Sequence, residues 1–174
     1  VPTYYVLTTA EASSNLSRYD GVRYGHRTTK SNIDLTEMYK ASRSEGFGEE
    51  VKRRILLGTF VLSEGFYDAY FTKAQQVRQL LKQQTDSIFQ EFDAILSPTV
   101  PSPAFKIGEK TNDPIEMFLG DIYTVYANLV GIPAISLPLF THTNGMPFGL
   151  QVMTRSFNEM GIIQLSARLM ELKS

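Results

Sequence analysis

The sequence predicts an α/β or α+β fold built around one sheet. Stretches with apolar residues at 3.6-residue spacing outweigh the strands, and the few strand candidates are short apolar runs lying between helices. The composition agrees: 174 residues, 43% hydrophobic, 20% charged and a formal net charge of −1, the profile of a soluble globular domain rather than a disordered one. A chain of that length can bury roughly 70% of the surface it would expose unfolded.

Tyr4, Tyr5, Val6 and Leu7 open an apolar stretch compatible with helix or strand, and the small residues Ala10, Ala12, Ser13 and Ser14 favour a closely packed helix. Asp20-Gly21 breaks it, and Val22 to Ile33 has no sustained period and reads as a loop. Asp34 followed by Glu37 is an N-cap and N3 pair, which opens a short helix to about Arg43. Glu49 to about Leu62 is apolar on nearly every side and is expected to be buried. Phe66 to Phe92 is expected to be one long amphipathic helix, with Tyr70, Ala74, Val77, Leu81, Ile88 and Phe89 on its apolar stripe.

Ala94-Ile95-Leu96 has the character of a buried strand, and Pro98, Pro101 and Pro103 force an extended segment after it. Ile115 to Val130 reads as helical, with a break allowed near Gly120. Ala134–Leu137 and Phe148–Met153 flank Asn144-Gly145 and predict two strands close to a hairpin. Ser156 and Glu159 form another capping pair, opening a final helix with Ile162, Ile163, Leu165, Leu169 and Leu172 inward. Three strands make a poor sheet for so many helices, which implies partner strands in sequence outside these residues. The start at Val1-Pro2, without an initiator Met or a leader, gives the same expectation of a cleaved product or a piece of a larger protein.

Several classes of function are excluded or disfavoured. With no Cys there is no disulfide, no thiolate metal site and no Cys nucleophile, and no metal site is expected. Seventeen Lys+Arg against 18 Asp+Glu give no global field for nucleic acid or an anionic membrane. No apolar run reaches the ~20 residues of a membrane span. G-x-S-x-G, S-x-x-K, P-loop, G-x-G-x-x-G and H-E-x-x-H patterns are all missing. The only imidazoles, His26 and His142, lie in polar loop sequence and read as solvent-facing residues. Glu49-Glu50 at a helix start complement its dipole, and Lys52-Arg53-Arg54 without interleaved aromatics is weak for phosphate or nucleic acid.

The segments Ala10–Gly25 (AEASSNLSRYDGVRYG), Phe47–Phe60 (FGEEVKRRILLGTF) and Tyr67–Gln75 (YDAYFTKAQ) stand out as specific motifs. Asn128–Ser136 (NLVGIPAIS) and Gly145–Gln151 (GMPFGLQ) complete the series. In this order and at these separations the chain resembles the carboxy-terminal part of the amidase signature family. Within that family it is most similar to the branch that serves as the A subunit of bacterial aspartyl/glutamyl-tRNA amidotransferases. The resemblance implies that residues 1–174 form the carboxy-terminal segment of an amidase domain, a mixed sheet flanked by helices that is incomplete on its own. The family's Ser, cis-Ser and Lys triad belongs to a Gly/Ser-rich region that would precede this segment, so no catalytic residue is expected here. A Ser-cisSer-Lys relay also needs no histidine.

The implied reaction is glutamine hydrolysis in a cytoplasmic heterotrimeric ligase. Ammonia would pass to the partner B and C subunits, which use ATP and Mg²⁺ to convert Glu-tRNA(Gln) or Asp-tRNA(Asn); no cofactor is expected in this segment, and no membrane. Free glutamine presents a carboxylate suited to a guanidinium and an ammonium suited to a carboxylate. By motif position the resemblance assigns Arg54 to the α-carboxylate, Asp121 to the α-ammonium and Tyr5 to a hydrogen bond at the pocket wall. Each residue also has a structural reading: Arg54 could pair with an internal Asp or Glu and Arg53 could face the pocket instead, Asp121 could cap a helix at Ile122 to Val130, and Tyr5 could be a core aromatic. Arg18 or Arg23 is expected to pin the Asp20-Gly21 turn. Two other readings stay open, a different amidase signature hydrolase and a non-catalytic module that binds partner subunits. An incomplete domain should also leave a large apolar patch exposed.

Overall fold

Helix α1, Pro2–Leu16, begins on a proline, whose fixed φ and missing N–H suit the first helical turn. In the computed structural model, which describes residues 1–108 and 119–172, the ambiguous opening stretch is therefore helical. Its contacts divide the chain into two compact units, Pro2–Gln75 and Gln76–Ser174 with Val1.

The first unit is helical. A loop joins α1 to α2, Leu35–Gly46, which Asp34 opens as expected, its side chain accepting the Glu37 amide at 2.8 Å. In the loop, Asp20 Oδ1 accepts the amides of Val22 and Arg23 at 2.8 and 3.1 Å, and Gly21 sits at φ +77°. The guanidinium that pins this turn is neither Arg18 nor Arg23: Arg43 Nη1 donates to the carbonyls of Leu16 and Tyr19 at 2.8 and 3.0 Å. No local sequence signal marks this bond, because the donor sits one helix further along.

Helix α3, Glu49–Val61, packs on α1 through Gly58. A Cβ built there would lie 1.9 Å from the Thr9 carbonyl oxygen, so only glycine permits this approach. Ser13 Oγ and Thr59 Oγ1 share a hydrogen bond of 3.0 Å across the same seam. The expectation that α3 is buried all round fails: Gly58 and Val61 are its buried residues, whereas Leu56, Leu57 and Phe60 are 72%, 48% and 44% exposed. These exposed side chains continue into an aromatic group in which Phe60 and Phe66 lie 4.2 Å apart and Tyr70 packs 6.0 Å from Phe60. The apolar composition of α3 thus serves one buried seam and one open face.

The expected helix from Phe66 to Phe92 runs from Tyr67 to Glu91 and contains one irregularity. Phe66 lies in a turn, Tyr67 is helical, Asp68–Thr72 is a π-helical segment, and Lys73–Glu91 is the α-helix α4. A single π-turn widens the spiral without disturbing apolar spacing enough to show in the sequence.

The second unit holds a three-stranded sheet in the order β1-β3-β2, all antiparallel: β1 Ile95–Pro98, β2 Ala134–Thr141 and β3 Pro147–Met153. The Asn144-Gly145 signal is confirmed, with Gly145 at φ +81° and the Asn144 carboxamide accepting the Met146 amide. Adjacent residues of β3 bury opposite faces. Val152, with no exposure, packs with Leu137 and Ile162, the last from helix α6, Glu159–Glu171. Met153 packs the other face with Ala127, Val130 and Ile132, adjoined by Leu81 and Phe89 of α4. Helices therefore cover both faces of the sheet, and among the described residues the mixed helix-strand class holds.

Helix α5 is shorter than expected, Thr124–Val130, ending on Gly131 in the left-handed conformation at φ +72°. Ile122 and Gly120 lie in the turns before it, and the part of the expected helix between residues 109 and 118 falls outside the described residues. The Ser156-Glu159 pair does not cap α6: Asn158 is the N-cap, and Ser156 Oγ donates to the Gly131 carbonyl at 3.1 Å. Of its expected inward residues, Ile162 is buried and Leu165 and Leu169 pack on the core, but Ile163 and Leu172 are 56% and 83% exposed.

Candidate functional site

In the helical unit, α1 and α3 bring Tyr5 and Arg54 together. The Arg54 guanidinium lies over the Tyr5 ring, 5.8 Å from its centroid, a cation–π arrangement. Tyr5 also meets Tyr4 edge to face, with centroids 5.7 Å apart. The geometry depends on Gly58, one turn further along α3, because its contact with the Thr9 backbone sets the spacing of the two helices.

Glu50 supplies the anionic partner for Arg54. Its carboxylate accepts Arg54 Nε at 3.0 Å through one oxygen and Arg53 Nη1 at 2.9 Å through the other. Sequence reasoning gave Glu50 only a helix-dipole role, although its i,i+3 and i,i+4 spacing to the arginines was available. The internal-acid reading of Arg54 is thus realised, with the side chain still 36% exposed. Arg53, at 60%, points further into solvent.

In the sheet unit, Asp121 is exposed in the turn before α5. It is not that helix's cap residue, a position held by Tyr123; its backbone carbonyl instead accepts the Val125 amide at 3.1 Å and the Thr124 hydroxyl at 3.2 Å. Asp121 and Gly120 line a cleft of about 430 Å³ whose other walls are the Pro-rich segment after β1 and the ends of β2 and β3. Gln151 braces this turn against the sheet: 4% exposed, it donates from Nε2 to the Tyr123 carbonyl at 3.3 Å and to Ser97 Oγ at 3.4 Å. On the same sheet face Thr99 Oγ1 and Ser136 Oγ lie 2.7 Å apart, both lining the cleft. Neither hydroxyl stands out in the sequence, where they are separated by the whole of α5. Tyr5 and Arg54 belong to one compact unit and Asp121 to the other.

Two carboxyls elsewhere are held below their ordinary range. For Asp20 the cause is the pair of backbone amides of Val22 and Arg23. For Glu45 it is first the hydrogen bond from His26 Nε2 at 3.0 Å, then that from Thr28 Oγ1 at 2.9 Å. His26 is thus tied to α2 through Glu45. Among the described residues no group of three or more His, Cys, Asp or Glu could hold a metal ion, and no helix is long and apolar enough to cross a membrane.

Helices cover both faces of the sheet and a cleft opens at the strand ends, and comparison gives the class: residues 1–163 match the Amidase family model, and the chain belongs to that family. It is 57% identical over 166 residues, 95% of its length, to the A subunit of the glutamyl-tRNA(Gln) amidotransferase of Koribacter versatilis, and covers 34% of that protein. The protein of the same name from Pelagibacter ubique is 54% identical over 98% of the chain, which covers 35% of it. The crystal structure of the Thermotoga maritima glutamyl-tRNA(Gln) amidotransferase A subunit aligns with a TM-score of 0.56 and 44% identity, over 76% of this chain and 30% of that one. An amidase crystal structure at 23% identity shares the fold over 98% of the chain, with a TM-score of 0.69. The chain spans about a third of the length of these relatives.

Proposed function

We propose that this chain is the carboxy-terminal part of the glutamine-hydrolysing A subunit of an amidotransferase and completes the glutamine pocket of that enzyme. The observation that carries the reading is the 57% identity over 95% of the chain to a glutamyl-tRNA(Gln) amidotransferase A subunit. In this reading Arg54 holds the α-carboxylate. Tyr5 forms the adjoining wall and donates its phenol hydrogen bond, and the Asp121 carboxylate receives the α-ammonium in its cleft. A charge-assisted contact at each end of a small zwitterion selects free glutamine over neutral amides.

The chemistry itself, attack on the side-chain amide and release of ammonia, requires a nucleophile and proton relay from outside these residues. The segment alone is therefore inactive. The B and C subunits would receive the ammonia, with ATP and Mg²⁺ used there to activate the charged tRNA, in the cytoplasm. The test is glutaminase kinetics of the complete enzyme. Arg54→Ala is expected to raise KM for glutamine at least tenfold while leaving hydrolysis of a neutral amide unchanged. Equal loss on both substrates, or repurification-resistant glutaminase activity of residues 1–174 alone, overturns the proposal.

A further inference from the structure

We propose that the Thr99–Ser136 hydroxyl pair, seated on Gly149, forms the second half of the ammonium-binding subsite opened by Asp121. The inference rests on the glutamine reading above and adds two specificity residues to it.

In the order β1-β3-β2, Thr99 follows one outer strand, Ser136 belongs to the other, and the middle strand separates them. Their hydroxyls nevertheless meet at 2.7 Å, because the middle strand carries Gly149 at that point. A Cβ on residue 149 would lie 2.2 Å from Ser136 Oγ and 2.9 Å from Thr99 Oγ1, so any other residue would push the two apart. The main chain reinforces the arrangement, with the Thr99 amide donating to the Gly149 carbonyl at 3.0 Å. A hydrogen bond reaching across a whole strand is not needed to hold this sheet, whose ladders pair the middle strand on either side.

What the pair provides is oxygen. Two hydroxyls that share one hydrogen bond keep lone pairs and one O–H for a third group. They line the same cleft as Asp121, together with Ser102, so the described wall offers this hydroxyl pair, a further serine and one carboxylate. A primary ammonium has three N–H donors in tetrahedral directions and needs acceptors on more than one side. A carboxylate alone accepts from one side, and two hydroxyl oxygens from a different strand pair supply the others. An α-ammonium fits this set, whereas a carboxylate or an uncharged methylene would leave Asp121 desolvated and unpaired.

The experiment compares glutamine with glutaramate, the same amide lacking the α-amino group, in the complete amidotransferase. Wild type should prefer glutamine. Thr99→Val and Ser136→Ala should each raise KM for glutamine about tenfold, leave kcat within about twofold and leave glutaramate kinetics unchanged. Gly149→Ala should match the double variant, and Thr99→Ser should restore wild-type selectivity if loss of the hydroxyl is the cause. Asp121→Asn is the control that separates the two levels of the argument. If it leaves the glutamine-to-glutaramate ratio unchanged, the ammonium does not bind here and the underlying reading falls. If it collapses the ratio while Thr99→Val and Ser136→Ala do not, only the present inference falls. A parallel loss on both substrates in the hydroxyl variants, not reversed by Thr99→Ser, would also overturn it in favour of a structural role.

Discussion

Single residues carry more of this architecture than their positions suggest. Arg43 spans from α2 to the Leu16 carbonyl at the end of α1 and the Tyr19 carbonyl in the loop after it, so Arg43→Met removes two charge-assisted hydrogen bonds and leaves those carbonyls dependent on water. We expect a loss of about 2 kcal/mol in chemical denaturation. Glu45 gives a pH dependence whose sign is fixed. Its carboxyl is lowered in the folded chain by His26 and Thr28, so the anchor is complete above the ordinary carboxylate range and is lost as pH falls through the lowered value. Thermal midpoints followed down through that range should therefore fall less steeply in Glu45→Gln than in wild type, the variant having already lost the anchor at neutral pH. Phe157 stands at φ +61° with 95% of its surface exposed, a conformation that costs a bulky residue. Phe157→Gly should accordingly raise stability by up to ~1 kcal/mol in thermal unfolding, since relief of strain outweighs the added freedom of the unfolded chain.

At the scale of elements, the contact of α1 with α3 is the most demanding. Gly58→Ala would drive a methyl into the Thr9 backbone, which cannot rotate away, so the helices must separate. A destabilisation of about 3 kcal/mol is expected and, under the proposed function, a higher KM for glutamine in the complete enzyme, because Tyr5 and Arg54 sit on the two helices that part. Gln151→Leu, which frees the Tyr123 carbonyl, should loosen the Asp121 turn and cost about 2 kcal/mol, read by thermal unfolding.

Local chemistry is legible in the sequence at this scale. Asp34 caps α2 and Asn144-Gly145 turns the hairpin because each signal and its effect lie within four residues. Effects that depend on distant partners are not legible. The π-helical segment keeps the apolar spacing of a plain helix, the Ser156 hydroxyl is drawn away to Gly131, and the Leu56 face of α3 carries core-like residues that nothing in this chain covers among the described residues. The candidate site shows the same division. Tyr5, Arg54 and Asp121 come from motif position alone, since no spacing links residues on separate elements. Glu50 and the Thr99–Ser136 pair need the folded backbone to be seen.

For the whole molecule, the decisive relation is that of the chain to relatives of which it covers only 34% or so. Leu56, Phe60, Phe66 and Tyr70 are all exposed, an apolar grouping of the kind that favours association. Light scattering on the purified chain should show self-association that falls when Leu56 and Phe60 are replaced by Glu and Lys; a monodisperse monomer binding no more hydrophobic dye than an ordinary globular protein would contradict this.

The division at Gln75 also has a consequence in time. Pro2–Gln75 is an unbroken run of chain whose contacts, such as α1 with α3, close within itself. During synthesis it can be complete before β2 and β3 have left the ribosome, and helical units of this kind form faster than antiparallel sheets. Pulsed hydrogen exchange during refolding should find the amides of α1 and α3 protected before those of β3. The half that carries Tyr5 and Arg54 would then take its shape earlier than the half that carries Asp121.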